Sequence, residues 1–266
     1  MYQTTYHRPS TVDEAAGLFA KGSDAKYLAG GHTLIPVMKQ RLASPSDVID
    51  LGKIQELIGI EPSGDGIVIK AATTHYDVAS SGTVQKAIPA LSYLASLIGD
   101  PAVRHRGTIG GSLANNDPAA DYPAAVLALG ATVKTNKRSI SADDFFKGLF
   151  TTALEDGEII TAVSFPVQAK AGYSKFNHPA SRFALTGVFV ARTPGGDVRV
   201  AATGASQNGV MRVSAIEAAL KANWSAGALD SVAISDNGLL TDIHGTSAYR
   251  ANLIKVMAQR AVTAAG

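Results

Sequence analysis

Two glycine pairs, each placed directly before an apolar pattern with helical spacing, constrain this chain more than any other feature. The first pair, Gly30 and Gly31, stands in "YLAGGHTLIPVMKQRL", which predicts a strand, a glycine turn and a helix opening at Thr33. Glycine has no Cβ, so such a turn can take a positive φ and approach a ligand closely. The unpaired N–H groups at a helix start attract anions such as phosphate. The same residues could also form an ordinary tight turn between a strand and a helix, without binding a ligand.

The second pair, Gly110 and Gly111, follows the first by 80 residues and again precedes small polar residues and an apolar helix pattern. No lysine stands in either glycine core, which differs from a P-loop, and no G-x-G-x-x-G follows a strand, which differs from a Rossmann fingerprint. An anion between the two loops would meet backbone dipoles and the hydroxyls of Thr33, Thr108 and Ser112. Such a clamp suits a ligand with a buried diphosphate and neutral ends.

The composition excludes several classes of function. The 24 basic and 22 acidic residues give a formal charge of +2, so nothing indicates binding to nucleic acid or to an anionic membrane. The chain has no cysteine, which excludes disulfides, thiolate chemistry and any iron–sulfur cluster held by this chain. The histidines show no paired spacing on a helix face, which argues against a metal site. Because we find neither a signal-peptide pattern nor an apolar run long enough to span a bilayer, we expect a cytoplasmic protein.

Turn residues and changes of apolar period divide the chain into three parts. Residues 1 to about 54 carry a helix pattern with Ser10 as its N-cap and short strands, which predicts a small βαβ-like lobe. Residues 55 to about 170 contain a hairpin pattern, one helix over "VQKAIPALSYLASLIG" and, after the second glycine pair, a polar loop and a helix. Residues 171–266 show antiparallel strand runs followed by two helices. The sequence therefore predicts an α+β fold, with a two-lobed domain over 1–170 and a smaller domain over 171–266.

Four motifs together resemble a known family. "AGGHTLIPVMKQRL", "ATTHYDVA", "TIGGSLANNDPAADYPAAVLALGA" and "YRANLIKVMAQRAV" resemble the FAD-binding medium subunits of the xanthine dehydrogenase and carbon monoxide dehydrogenase family of molybdenum hydroxylases. The resemblance runs from about Tyr6 to Val262. It implies a noncovalent FAD between two N-terminal lobes of the vanillyl-alcohol-oxidase-like (PCMH) type. A C-terminal domain like that of the carbon monoxide dehydrogenase flavoprotein would follow, with a small antiparallel sheet and helices.

The resemblance also implies which residues hold the cofactor. The two pyrophosphate loops correspond to Ala29, Gly30, Gly31, His32, Thr33 and Leu34, and to Thr108, Gly110 and Gly111. Asn115 and Asp121 fall where the family places polar contacts to FAD, and Ile160 falls where an apolar side chain meets the flavin. Lys175, Asn177 and His178 correspond more loosely to the segment on the flavin's far side. No catalytic residue and no metal ligand is implied for this chain.

Several of these residues have a structural alternative. Asp121 could N-cap the helix that starts after it, and the two roles are compatible. Ile160 could belong to the core as well as to a flavin contact. Asp117 is expected to form a turn before a proline and to face away from a diphosphate, because a carboxylate beside phosphate is repelled.

The histidines outside the first loop are less informative. His75 and Asp77, in "TTHYDV", could be helix-start residues only. The role of His105 stays open.

The function implied by the resemblance is that of one component of a larger enzyme. A large molybdenum subunit would hydroxylate the substrate, and a small subunit with two [2Fe-2S] clusters would relay electrons to this FAD, in a dimer of heterotrimers. One alternative is a self-sufficient flavin oxidase or dehydrogenase, with His32 as a covalent attachment point. A binding module without redox activity is another. The molybdenum subunit would choose the substrate, so carbon monoxide, an N-heterocycle, an aldehyde and a purine all stay open.

Overall fold

In the computed structural model, which describes residues 1–266, the N-terminal part forms a small parallel sheet. Its elements are β1 (Thr5–His7), α1 (Val12–Phe19), β2 (Ala25–Leu28), α2 (Leu34–Lys39) and β3 (Asp47–Asp50). Strand β3 lies between β1 and β2 and pairs with both in parallel. Each helix is therefore a crossover between parallel strands, which is the βαβ order that the sequence predicts.

The N-cap of α1 is Thr11, so the prediction of Ser10 is wrong by one residue. The Thr11 hydroxyl accepts the Glu14 N–H over 3.1 Å. The Glu14 carboxylate in turn accepts the amide and the hydroxyl of Ser10 over 2.8 and 2.9 Å. Ser10 and Thr11 thus both make hydrogen bonds of a variant capping box. For this reason the sequence pattern did not show which of the two is the N-cap.

The next part is built on a five-stranded antiparallel sheet in the order β4-β5-β10-β6-β7. A short 3-10 helix (Gln55–Leu57) precedes the sheet. The strands and helices of this part of the chain are β4 (Ile60–Ser63), β5 (Gly66–Lys70), α3 (His75–Ser80), α4 (Gly82–Ala87), α5 (Pro89–Ser96), α6 (Pro101–Arg104), α7 (Ile109–Asn115), α8 (Tyr122–Ala128), β6 (Thr132–Thr135), β7 (Ser139–Ser141), α9 (Ala142–Phe145), β8 (Phe146–Gly148), β9 (Thr151–Thr152) and β10 (Ile160–Pro166). The predicted hairpin is β4 and β5. Apolar side chains of this sheet and of the helices together form the largest core.

The single helix predicted over "VQKAIPALSYLASLIG" is two helices, α4 and α5. They are separated at Ile88, whose φ of −143° and ψ of 76° are not helical. Pro89 follows, and a proline disfavours the helical conformation of the residue before it. The proline thus starts α5 instead of lying inside one long helix.

The C-terminal part is a four-stranded antiparallel sheet in chain order, covered on both faces. It comprises β11 (Lys170–Asn177), β12 (Ala184–Arg192), β13 (Val198–Thr203), β14 (Met211–Arg212), α10 (Ser214–Ala222), a 3-10 helix (Ala226–Leu229) and α11 (Ser247–Ala265). Tyr173 and Phe189 on one face join the core that contains α8. Val188 and Val190 on the other face pack with Met257 of α11. The sheet is therefore held against the preceding part through α8.

The first sheet has a small core of its own, which includes Ile54, Leu57 and Ile159. Ile159 precedes β10 of the second sheet, so this core links the first two parts of the chain. None of the helices combines the length and the apolarity that a membrane span requires.

Candidate functional site

A cavity of about 900 Å³ lies where the first glycine turn faces α7. This volume is within the range of about 300–1,000 Å³ that is usual for ligand sites. Twelve of the fifteen residues that the resemblance places at the cofactor line it: Ala29, Gly30, Gly31, His32, Thr33, Leu34, Thr108, Gly110, Gly111, Asn115, Asp121 and Ile160. The structure therefore brings together segments that are far apart in the chain.

The first glycine motif is a turn with free hydrogen-bond donors. Gly31 has a φ of +78°, which an L side chain rarely adopts. No backbone N–H from Ala29 to Leu34 donates to a backbone carbonyl. Thr33 is the N-cap of α2, yet its hydroxyl makes no capping bond. Consecutive N–H groups without acceptors in a concave turn form an anion-binding nest, which fits a diphosphate.

The second glycine motif has a different conformation from the one predicted. Gly110 and Gly111 lie in the first turn of α7 and not in a loop, and neither has a positive φ. Thr108 caps this helix by accepting the Gly111 N–H over 3.1 Å. The Gly110 N–H donates to Ala71 O over 2.8 Å. The donors of this motif are thus already paired, so its glycines do not extend the nest.

The glycines of α7 are explained by close packing. A Cβ on Gly110 would lie 2.6 Å from Ala71 Cβ and 2.8 Å from Ala71 O. A Cβ on Gly111 would lie 3.2 Å from Ala29 Cβ in the first motif. Larger residues would push the two motifs apart, since backbone atoms and buried methyl groups cannot rotate away.

A second contact joins the two motifs at Gly30. A Cβ at this position would overlap the Arg106 carbonyl oxygen and lie 2.6 Å from Gly107 Cα. The first turn is therefore packed directly onto the segment that leads into Thr108. The two motifs form one continuous wall of the cavity.

Asp121 does not cap α8 with its side chain. Its carboxylate accepts the Tyr173 hydroxyl over 2.5 Å and lies 3.0 Å from Lys175 Nζ. Burial raises the pKa of Asp121, and Lys175 and Tyr173 oppose that rise. Asp121 lines the cavity as part of this buried network.

Lys175, which the resemblance places at the flavin, does not line the cavity. Only 1% of its side chain is exposed, and its ammonium also donates to Leu97 O over 2.9 Å. Lys175 thus contacts Asp121, which lines the cavity, and its direct contact with the cofactor stays a prediction.

The segment that reaches the cavity after β11 begins later than predicted. Asn177 and His178 do not line it, whereas Ala180, Ser181, Arg182 and Phe183 do. His178 shapes this loop, because its Nδ1 accepts the N–H groups of Ala180 and Ser181, each over 3.2 Å. Arg182 has a φ of +61°, so the loop is tightly turned.

The cavity also has apolar lining residues, namely Leu51, Leu57, Leu154, Ile159 and Ile160. Ile160 is buried, so its predicted core role and its place at the cavity are compatible. The sequence did not predict Leu51, Leu57, Leu154 or Ile159 as residues of a binding site. Their apolar pattern is that of ordinary strand and loop residues, so the sequence held no signal for them.

The acidic residues at the cavity are engaged within the protein. Asp117 Oδ1 accepts the Ala119 N–H over 2.8 Å, which is the turn-forming contact that the sequence predicts. Glu158 pairs with Arg138 over 3.0 Å, and hydrogen bonding to that guanidinium lowers the pKa of Glu158 to about 2. Both carboxylates therefore have hydrogen-bond partners within the protein.

The sequence did not decide whether His75 is only a helix-start residue. In the structure it lies at the start of α3 and also lines the cavity. Asp77 stays at the helix start, where its N–H donates to the Thr74 hydroxyl. His105 does not line the cavity and stacks on Tyr76 with ring centroids 4.1 Å apart. No group of three or more His, Asp or Glu side chains is placed to hold a metal ion.

The comparisons with known proteins identify the same protein family. The family model described as "FAD binding domain in molybdopterin dehydrogenase" matches residues 2–168. The chain is 35% identical to the carbon monoxide dehydrogenase medium chain of Hydrogenophaga pseudoflava, over 98% of this chain and 96% of that one. It is 34% identical to the nicotine 6-hydroxylase medium subunit of Paenarthrobacter nicotinovorans, with coverage of 98% and 96%.

Solved structures of members of this family share the fold of this chain. A chain of the reconstituted carbon monoxide dehydrogenase from Oligotropha carboxidovorans superposes with a TM-score of 0.91 at 34% identity, over 99% of this chain and 97% of that one. A chain of quinoline 2-oxidoreductase from Pseudomonas putida 86 gives a TM-score of 0.87 at 30% identity, with coverage of 99% and 96%. The mixed helix and sheet architecture is shared over the whole chain.

Proposed function

The chain belongs to the family of FAD-binding domains of molybdopterin dehydrogenases, and from that membership we propose that its cavity holds one noncovalent FAD between the two glycine motifs. It is the FAD-binding medium subunit of a molybdenum hydroxylase. FAD, when bound, can accept electrons one or two at a time, which suits a carrier between a one-electron donor and a two-electron acceptor. The chain's own task is to bind and orient the cofactor.

The observation that carries the proposed binding mode is the run of unpaired backbone N–H groups from Ala29 to Leu34. In this proposal these groups hold the diphosphate. Thr33, Asn115 and Ser112 lie at the same cavity and supply further polar contacts. Positive side chains are not required, because a nest of N–H groups attracts an anion by itself.

The apolar wall of the cavity suits the flavin ring. Ile160 and its neighbours exclude water from that wall, and an uncharged surface against the ring fits an aromatic ligand. At the same cavity, Asp121 is held by Tyr173 and Lys175. The residue contacts of the flavin, including any through Lys175, belong to this proposal.

We place the domain boundaries where the sequence suggests them. The family match ends at residue 168, close to the proposed division between 1–170 and 171–266. The first domain would be of the vanillyl-alcohol-oxidase-like (PCMH) type, with lobes over about 1–54 and 55–170. The separate parallel and antiparallel sheets support this division.

The proposed route takes electrons from [2Fe-2S] clusters on a small partner subunit, through the FAD of this chain, to an external acceptor. A large subunit would carry the molybdenum cofactor and the organic substrate, in a cytoplasmic dimer of heterotrimers. The relatives are named for carbon monoxide, nicotine, glyceraldehyde and xanthine, which is consistent with a substrate chosen outside this chain.

A pair of matched substitutions tests the binding mode. Gly111→Val presses a branched side chain against Thr108 and Ala29, whereas a Cβ on Gly82 meets nothing within 4 Å. We expect Gly111→Val to lose most of its FAD after purification and Gly82→Val to keep it. Unchanged flavin content in Gly111→Val would show that the second motif does not border the cofactor.

Acid precipitation of the wild type should release the flavin into the supernatant, because the proposed FAD is noncovalent. Flavin that stays in the pellet would favour covalent attachment and the self-sufficient oxidase.

A further inference from the structure

His75 lies directly behind the junction of the two glycine motifs. Its backbone N–H donates to Gly107 O over 2.9 Å, and its ring lines the cavity with only 5% of the residue exposed. The ring packs against Tyr122 with centroids 5.4 Å apart. These contacts hold the imidazole in one place, and the binding mode described so far gives it no part.

The two ring nitrogens of His75 have different surroundings. Nδ1 is completely buried and has no hydrogen-bond partner. A neutral imidazole carries its proton on one nitrogen only, and a buried N–H without an acceptor is rarer than a buried acceptor without a donor. We therefore assign the proton to Nε2. Burial, with smaller effects of the nearby His32 and Arg104, lowers the pKa of His75 to about 4, so the ring is neutral at pH 7.

Gly107 packs against the Nε2 side of the ring, and only a residue without a side chain fits there. A Cβ on Gly107 would lie 2.5 Å from His75 Nε2 and 2.8 Å from its Cδ2. Gly107 itself lines the cavity and packs on Gly30 of the first motif. Nε2 therefore lies beside a glycine that packs directly on the first motif.

We propose that His75 is a cofactor-binding residue that donates its Nε2–H to an oxygen of the FAD diphosphate, and that Gly107 is required because a side chain there would cover this donor. The inference rests on the proposed function, since it takes FAD as the ligand of the cavity. The donor side chain adds to the backbone donors of the nest. An anion beside the ring favours its protonated form, so bound FAD should raise the pKa of His75.

Two substitutions at His75 separate the donor from the volume of the ring. His75→Phe keeps an aromatic ring and removes the donor, whereas His75→Gln offers an amide N–H at a similar distance from the backbone. A hydrogen bond to a charged group is lost in the first case, so we expect the Kd for FAD to rise about 10-fold to 100-fold. His75→Gln should recover most of that loss. His105→Gln is the control, because His105 is exposed and lies outside the cavity.

The experiment measures FAD affinity by flavin fluorescence for the full chain, alone and co-purified with its partner subunits. In parallel, NMR follows the pH titration of the His75 imidazole, assigned with His75→Gln, before and after addition of FAD. A raised midpoint in the complex supports the proposal, and this readout serves even if His75→Phe does not fold. Wild-type affinity in His75→Phe, or an imidazole titration that FAD does not change, overturns this inference alone. A wild-type chain that binds no FAD in either form overturns the proposed function as well.

Discussion

Replacing Gly30 by alanine should force the two glycine motifs apart. The new Cβ would overlap the Arg106 carbonyl oxygen and lie 2.6 Å from Gly107 Cα. Both are backbone atoms, so neither can rotate away, and either the first turn or the 106–107 segment has to move. Overpacking of this kind costs about 1–3 kcal/mol, which for a chain of this size lowers the Tm of the FAD-free protein by roughly 2–12 °C.

The same displacement should weaken FAD binding. The unpaired N–H groups of the first turn would move away from α7, so the diphosphate could no longer contact both motifs. A tenfold rise in Kd at a fixed excess of FAD removes about 1.4 kcal/mol of ligand stabilisation. The difference between the Tm values with and without FAD should therefore shrink in Gly30→Ala.

Gly17→Ala is the matched control for this substitution. Gly17 lies in the interior of α1, and a Cβ there meets nothing within 4 Å. Alanine in a helix interior is favoured over glycine by about 0.5–1 kcal/mol, so this variant should be slightly more stable and should bind FAD normally. Differential scanning fluorimetry with and without FAD measures both quantities. The reasoning is refuted if Gly30→Ala keeps the Tm and the FAD-induced shift of the wild type.

Further predictions concern the buried charges and the ligand. Asp121→Asn leaves the Lys175 ammonium buried without its carboxylate, so thermal unfolding should show a loss of about 3–5 kcal/mol, partly recovered by adding Lys175→Met; an unchanged Tm would contradict the ion pair. Hydrogen bonding to Arg138 lowers the pKa of Glu158 from 4.5 to about 2, so its stabilising effect is complete above pH 4.5 and is lost as the pH falls toward 2. Glu158→Gln should therefore flatten the acid limb of the stability curve, and parallel curves would rule this out. FMN, which has no diphosphate, should raise the Tm less than FAD at equal concentration; equal shifts would argue against a diphosphate clamp.

The glycine motifs were predictable from the sequence, but the reason for each glycine was not. Gly31 fits the expectation of a positive φ, because that requirement is local to the turn. Gly110 and Gly111 are helical, and their small size is explained by Ala71 and Ala29, which are distant in sequence. A glycine pair alone does not distinguish a conformational requirement from close packing. The neighbours that decide between the two become visible only in the folded chain.

Residues that depend on tertiary contacts were placed least accurately by the sequence. Lys175 was expected at the cofactor, and in the structure it pairs with the buried carboxylate of Asp121, which itself lines the cavity. The cavity segment after β11 begins at Ala180 because His178 bonds back to the loop that follows it. His75 looked like a helix-start residue, and its burial against Gly107 could not be seen from "TTHYDV". In each case a long-range contact or a loop geometry, and not a local pattern, decides the outcome.

The central claim is that this chain carries electrons and does not itself oxidise the organic substrate. Anaerobic stopped-flow mixing of the FAD-loaded chain with carbon monoxide, aldehydes, purines and N-heterocycles tests it most directly, with dithionite as the positive control for flavin reduction. We predict that dithionite bleaches the flavin absorbance and that none of the substrates does. The complex that contains the small and large subunits should bleach with its own substrate. Rapid bleaching of the isolated chain by any one of these substrates would contradict the account and indicate a self-sufficient dehydrogenase.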